Sequence, residues 1–428
     1  MGKTYLIQNG YVIDPANQRE GYLDILIQDG RIKKVEKGIP TEEAMEVLDA
    51  SGKTVMPGFV DLHVHFREPG FEYKETVHTG SRSAAAGGFT TVCPMPNTRP
   101  PIDTPKRVRE LLSIAERDAV VHVLPVGAVT LGQEGKVAAD IPGMKEAGAV
   151  AISEDGKSVM DIEVYEEGMR LAARAGIPVL AHCEDKELAG NGVVNEGAFS
   201  RKYNLPGISN EVENKIARRD IALSEKTGAR LHLCHCSTKE TLDYIREAKE
   251  KRLPVSGEVC PHHFTLSDQD IPGDDAAYKM NPPLRAPEDV EAMKKGLKEG
   301  IFEAISTDHA PHGWEEKQKS MREAPFGIVG LETAFSLAVT NLVNTGLLTP
   351  YELVRRMSTS PAGIIGAEAG TLSEGVPADV VIADFKEEYT IDKEKFLSKG
   401  RNTPFDGWKV AGRVYYTLVD GEIVYQYN

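Results

Sequence analysis

The chain of 428 residues contains no apolar run of about 18 residues, so a membrane-spanning helix is not expected. Its opening, Met1-Gly-Lys-Thr-Tyr-Leu-Ile-Gln-Asn-Gly10, turns polar too soon for a secretory signal, and a cytoplasmic location is expected. Cysteine is scarce. Five residues, an odd number without Cys-x-x-Cys spacing, suit a reducing compartment and argue against a disulfide framework. Cys234 and Cys236 flank His235, a combination that suggests zinc. On a strand the two thiols face away from the imidazole, so they are expected to pack in the core rather than share an ion with it. Positive charge is in deficit as well. Against 65 aspartates and glutamates stand 50 lysines and arginines, and the net charge of −15 argues against nucleic acid or an anionic membrane as partner. Gly87-Gly88 precedes a strand, so it is not a phosphate loop.

What is present is an ordinary globular composition, 41% hydrophobic and 27% charged, in a chain long enough for one large catalytic domain and an appendage. The most informative stretch is Asp61-Leu-His-Val-His-Phe-Arg67. Strand side chains alternate faces. Val60, Leu62, Val64 and Phe66 are therefore expected to form one apolar face under a helix, and Asp61, His63, His65 and Arg67 the opposite one. Two imidazoles so spaced on one strand can grip a divalent cation. More candidate ligands close apolar, strand-like runs: His182 after Ile177-Pro-Val-Leu-Ala, His235 after Ala229-Arg-Leu-His-Leu-Cys, and Asp308 after Ile301-Phe-Glu-Ala-Ile-Ser-Thr. Asp155 ends Ala147-Gly-Ala-Val-Ala-Ile-Ser-Glu in the same way. Imidazole and carboxylate ligands suit zinc and its first-row neighbours. Four histidines and two carboxylates exceed what one tetrahedral ion takes, so the reading is a binuclear site with a shared carboxylate. His235 has the strand parity of Leu231 and Leu233, which are expected to fill lower layers beneath it. His232 would then face the helices as a hydrogen-bonded core histidine.

The first 55 or so residues alternate tightly, with Asn9-Gly and Asp29-Gly as hairpin-turn dipeptides between strands. The C-terminal part repeats the style in Ala378-Asp-Val-Val-Ile-Ala-Asp and Arg413-Val-Tyr-Tyr-Thr-Leu-Val-Asp-Gly-Glu. The two ends are expected to meet in one small β-sandwich, built from residues 1–55 and 366–428. Between them, over 56–365, short apolar strands alternate with helical stretches eight times, near 59–65, 89–93, 120–126, 149–153, 178–182, 230–235, 254–259 and 301–306. That alternation predicts an α/β fold, a (β/α)₈ TIM-like barrel. A barrel of this kind carries its active site at the carboxyl ends of the strands, where every candidate ligand falls. Residues 311–330, charged and glycine-containing, would follow the Asp308 strand over the mouth as a lid. His78, His122, His262, His263 and His309 are left as structural groups or neighbours of the site.

Eight motifs in order along the barrel carry a resemblance. They are Pro57-Gly-Phe-Val-Asp-Leu-His-Val-His-Phe-Arg67, Met95-Pro-Asn97-Thr, Ser153-Glu-Asp155-Gly, Ala181-His182, His235-Cys-Ser, Lys279-Met-Asn281-Pro-Pro-Leu-Arg, Thr307-Asp308-His-Ala-Pro-His312 and Pro325-Phe326-Gly327. The sequence resembles the amidohydrolase superfamily and, within it, the bacterial single-chain dihydroorotase family. The resemblance implies zinc, one or two ions per chain. His63 and His65 would bind the first with Asp308 beside it, His182 and His235 the second, and Asp155 would bridge them. Many relatives bridge with a carbamylated lysine, and Lys157 has the parity of Asp155. The implied reaction is reversible ring opening of dihydroorotate to N-carbamoyl-aspartate in pyrimidine synthesis, with Asp308 as the catalytic proton shuttle. His65, Arg67, Asn97 and His312 would meet the substrate's carboxylate side, and Asn281, Phe326 and Gly327 the ring amides. A small-molecule substrate and a homodimer are expected, with aspartate transcarbamoylase as a further partner to consider. Two other readings share these residues. An allantoinase or hydantoinase normally bridges with carbamylated lysine and has less need of Arg67 and Asn97. A non-catalytic subunit scaffolding the transcarbamoylase tends to lose ligands, and here all six stand.

Overall fold

The computed structural model describes residues 3–42 and 45–427. Parallel strands alternate with helices through the middle of the chain. Phe59–Val64, Phe89–Pro94 and His122–Val123 form a three-stranded parallel sheet. Val126–Ala128, Ala151–Ser153, Val179–Ala181, Leu231–Leu233, Val255–Val259 and Ala304–Ile305 form a six-stranded parallel one. Each expected strand is thus present. The third is split at Leu124-Pro125, because proline has no N–H to give the ladder. Even so, Leu124 donates to Val92 O at 2.9 Å, and Val150 donates to Pro125 O at 3.0 Å.

Helices cover these strands for local reasons. Pro105–Asp118 starts with Thr104 accepting from Arg107 N, has proline in its first turn, and buries Val108, Leu111 and Ala115 on one stripe. Ile162–Ala175 is capped by Asp161 and stopped by Gly176 at φ 70°. It buries Tyr165, Met169 and Ala172 against the strands.

Simple alternation fails on the metal-motif strand. Against Phe89–Pro94, Asp61 pairs with Val92 and Val64 with Pro94, so three steps on one strand match two on the other. All six residues of Phe59–Val64 are buried. The four oily side chains do not share one face: Val60 and Leu62 join a cluster with Cys93, Leu180 and Cys234, while Val64 and Phe66 join the helix-covered core with Val77 and Ala84.

Parity is also reversed on Leu231–Leu233. Both leucines belong to the helix-side core with Ile216 and Leu223, and His232 points the other way. The expected stacking of His235 above two leucines is therefore overturned. The strand ends at Leu233, and His235 turns inward with φ 36°, off the strand geometry on which parity rests.

The two ends of the chain do pair. Thr54–Pro57 runs antiparallel to Val380–Thr390 in a six-stranded sheet that also holds Tyr11–Asp14, Arg19–Tyr22, Lys409–Val419 and Glu422–Gln426. A four-stranded sheet holds Thr4–Gln8, Asp24–Gln28, Arg31–Glu36 and Glu46–Asp49. Asp29-Gly30 makes the expected hairpin, both residues at positive φ. Asn9-Gly10 does not. It passes the chain from one sheet to the other, and a Cβ on Gly10 would lie 2.5 Å from Val55 Cγ2.

An aromatic chain ties the parallel region to the C-terminal sheet. Phe59 meets Phe89 and Phe335 at ring-centroid distances of 5.7 and 5.4 Å, and Phe335 meets Phe385 at 5.1 Å. Truncation of a buried phenylalanine costs about 3–5 kcal/mol. Phe335→Ala is expected to lower the stability to chemical denaturation by that amount while leaving metal content unchanged, since no candidate ligand touches the ring.

Candidate active site

The six candidate ligands converge at the carboxyl ends of the parallel strands, and Asp155 lies in their midst. Its Oδ1 is 3.2 Å from His63 Nε2, 3.4 Å from His182 Nδ1 and 3.8 Å from His235 Nε2. Its Oδ2 is 3.6 Å from His65 Nε2. Asp308 Oδ1 is 3.0 Å from His65 Nε2 and 3.6 Å from His63 Nε2. Asp308 and His235 both adopt left-handed backbone, φ 48° and 36°, and Arg67 does so at 64°. Non-glycine residues hold such conformations at a cost, and sites of function are where they collect.

A metal ion fits this donor set. His63, His65 and Asp308 offer atoms close enough to share one ion, and so do His63, Asp155 and His235. Both ring nitrogens of His63 and Nδ1 of His235 are buried without a hydrogen-bond partner. Buried polar atoms are costly to leave unpartnered, and a cation would take the one lone pair that each neutral ring carries. Lys157 is exposed with its Nζ on Gln133 O at 3.0 Å, away from the cluster.

The electrostatics agree with a site built for positive charge. Burial pushes Asp155 upward, yet His63, His182 and His235 outweigh it and hold the carboxyl well below the usual range. Burial likewise opposes protonation of His63 and His182, but Asp155 and the neighbouring carboxylates raise them to about 9 and about 10. In the metal-free protein, protons therefore stand where cations would.

Several residues outside the predicted set hold the ligands. Glu184 accepts from His182 Nε2 at 3.0 Å and from Asn281 Nδ2 at 3.1 Å. Glu258 bonds His232 Nε2 at 3.0 Å and Ser306 Oγ, and approaches His63 Nδ1 to 3.7 Å. His232 is a hydrogen-bonded core histidine, as expected, but on the ligand side. Cys234 packs with Val60 and Leu62, and Cys236 in the helix-side core; neither is grouped with His235, as expected, although the Cys234 thiol also lies close enough to His63 and Glu258 to share an ion with them. Glu258 stands one residue before the end of its strand, Val255–Val259, whereas Asp155 and Asp308 lie just past theirs; the same search for carboxylates near strand ends would have found it.

The substrate-side candidates gather nearby. Asn97 bonds His65 Nδ1 through its carbonyl at 3.0 Å and donates to Asp155 Oδ2 at 2.9 Å. Arg67 is half-buried, donates from Nε to Pro311 O at 3.2 Å, and lies 3.4 Å from His312 Nε2. It forms no salt bridge among the described residues, and burial lowers its pKa. His312 donates from Nε2 to Phe326 O at 2.7 Å and accepts from Lys74 Nζ at 3.1 Å; burial, and then the nearby charges of Arg67, Lys74 and Lys317, keep it neutral against the pull of the Phe326 bond. Residues 311–330 are tied down: Lys317 Nζ donates to the carbonyls of Lys279, Pro325 and Gly327 at 3.2, 3.1 and 2.9 Å.

The comparisons with known proteins bear on this arrangement. A family model described as "Dihydro-orotase-like" matches residues 52–241. Dihydroorotase of Caldanaerobacter subterraneus subsp. tengcongensis is 48% identical over 423 residues, covering 99% of this chain and 97% of that protein. Dihydroorotase of Bacillus cytotoxicus is 47% identical over 426 residues, covering 99% and 98%. Among solved structures, the L-hydantoinase (dihydropyrimidinase) of Arthrobacter aurescens superposes with a TM-score of 0.88 at 26% identity, covering all of this chain and 96% of that one. The D-hydantoinase (dihydropyrimidinase) of Thermus sp. gives 0.83 at 27% identity, covering 98% and 94%. Fold and site together define an enzyme of the cyclic-amidohydrolase class. Within that class, the chain belongs to the dihydroorotase family.

Two outcomes follow from the geometry. Asp155→Ala is expected to remove most bound metal and activity, while Lys157→Ala keeps both; elemental analysis and turnover check this, and the reverse pattern would assign the bridge to a carbamylated lysine. Protons compete with the ion at His63 and His182, so the apparent zinc affinity of chelator-stripped protein should fall as pH drops through about 9. A competition titration against a chelator of known pH dependence measures it.

Proposed function

We propose that the chain is a dihydroorotase: a metal-dependent hydrolase that opens the cyclic amide of (S)-dihydroorotate to N-carbamoyl-L-aspartate, reversibly, in pyrimidine synthesis. The observation that carries the substrate assignment is Arg67. A half-buried guanidinium without a carboxylate partner stands beside the ligand cluster, and an unpaired charge out of water is unfavourable until an anion joins it. Dihydroorotate carries a carboxylate on the ring that is to be opened.

His63, His65 and Asp308 would hold one zinc-class ion and His182 and His235 another, with Asp155 within reach of both groups. Such ions would polarise the ring carbonyl and make a water acidic. Asp308 takes a proton from the attacking water and returns it to the ring nitrogen as the C–N bond breaks. His65 Nε2, 3.0 Å away, keeps that carboxylate aimed. Arg67 offers a forked donor to the substrate carboxylate. Asn97 has one amide N–H left for it, and His312 holds Phe326 in place beside it. Asn281 and the backbone of Phe326 and Gly327 meet the ring amides.

The same reading joins the two parallel sheets into one (β/α)₈ barrel over 56–365. What supports closure is a parallel bridge between Val64 and His309, with His65 N donating to His309 O at 2.8 Å. It takes the two mixed sheets as one β-sandwich from 1–55 and 366–428, supported by a shared apolar cluster that includes Ile7, Ile25, Val55, Val380 and Leu418. It also takes the enzyme to be a cytoplasmic homodimer, with aspartate transcarbamoylase the protein partner to test. Five buried free thiols and the absence, among the described residues, of a helix long and apolar enough to cross a membrane are consistent with that setting.

Arg67→Met is expected to cut kcat/KM for dihydroorotate by about 100-fold or more, the loss of a charged hydrogen-bonded pair of about 3 kcal/mol, with metal content intact. Wild-type rates on dihydroorotate, dihydrouracil and hydantoin test the same point. Equal efficiency on all three would move the enzyme to the hydantoinases.

A further inference from the structure

We infer that Cys260, His262 and His263 form a second metal site, separate from the catalytic ligands, for a zinc-class d¹⁰ cation. These residues stand where the strand Val255–Val259 passes into the short helix Pro261–Thr265. Cys260, His262 and His263 are 0, 2 and 3% exposed. Each offers one donor atom, and the three atoms lie within 4.8 Å of one another. None of them belongs to the groups that contain His63, Asp155 or Asp308.

Two observations point beyond packing. His262 Nε2 and His263 Nδ1 are buried with no hydrogen-bond partner. Buried polar atoms are seldom left so, and each instance calls for a cause. The second is the tautomer of His263. Its Nε2 donates to Pro282 O at 3.0 Å, so the lone pair sits on Nδ1, the unpartnered atom. An imidazole that gives one N–H to a backbone carbonyl and keeps the other nitrogen bare is arranged as metal-binding histidines are. Cys260 is free to join, because it occupies the N-cap position of the helix without its side chain capping it.

One thiolate and two imidazoles make a borderline-soft donor set, suited to Zn(II), Cd(II) or Cu(I) and poorly to Mg(II) or Ca(II). On binding, the S–H bond of Cys260 breaks, its proton leaves to solvent, and a sulfur–metal bond forms with no change of oxidation state. His263 is anchored to Pro282, which follows Asn281, so an ion here would also stiffen that stretch.

Cadmium(II) is the probe, added anaerobically to enzyme stripped of metal by a chelator and reloaded with no more zinc than the catalytic ligands take. Wild type should bind one further ion per chain with an ultraviolet thiolate-to-cadmium band. Cys234→Ser, which removes the thiol nearest the catalytic ligands, should keep both. Cys260→Ser and Cys260→Ala should lose both, and His263→Asn, which keeps the thiol, should bind cadmium at least about tenfold more weakly. No further ion in wild type, a band that survives loss of Cys260, or one that vanishes with Cys234, overturns the site. The result does not depend on which cyclic amide the enzyme opens.

Discussion

A carboxylate enclosed by four imidazoles sets the terms for the rest of this molecule. Asp155 is almost wholly shielded from water, and a bare carboxylate there would cost several kcal/mol. Its charge has to be met from the sides, and the four imidazoles that meet it come from three separate parts of the chain: His63 and His65, His182, and His235. Strand order is therefore fixed by electrostatics as well as by packing. A slipped strand would leave Asp155 facing hydrocarbon.

Holding four rings and two carboxylates in one space needs a second ring of polar groups. Glu184, Glu258 and Asn97 supply it. Each takes the far nitrogen of a ligand histidine or lies against it, and so sets which nitrogen faces inward. The cost shows in the backbone, where His235 and Asp308 leave their strands in left-handed conformation. Strand geometry alone cannot place both residues at the centre. The fold accepts local strain there because the ladders and helices around it over-determine the position.

This second ring marks the limit of what the sequence discloses. The alternation of strands and helices and the six ligands are legible because they are local patterns: apolar runs ending in histidine or aspartate. Parity is less reliable. It fails at Asp61–Val64, where a bulge inserts a step, and at His235, where the chain has already left the strand. Asn9-Gly10 misleads for another reason. The dipeptide encodes a turn, and only tertiary pairing decides whether the strands it joins share a sheet. Glu184 lies two residues beyond a ligand, yet its bond to Asn281 and that of Lys317 to Lys279 O join residues far apart in sequence, which no local pattern announces.

Likeness of fold and likeness of sequence point to different substrates, and the site decides between them. The superposition on hydantoinases covers nearly the whole chain, yet identity there is near a quarter, against nearly half to dihydroorotases. A shared α/β fold carries a shared way of opening cyclic amides, while the choice of amide is made by groups around the ligand cluster. Hydantoin and dihydrouracil bring no charge to those groups. Arg67, held by Pro311 O and set beside a neutral His312, has no anion of its own to satisfy it. A protein acting on uncharged rings would gain by replacing that arginine, since its burial lowers rather than raises stability when nothing pairs with it. Its presence is best accounted for by a substrate that brings the missing negative charge.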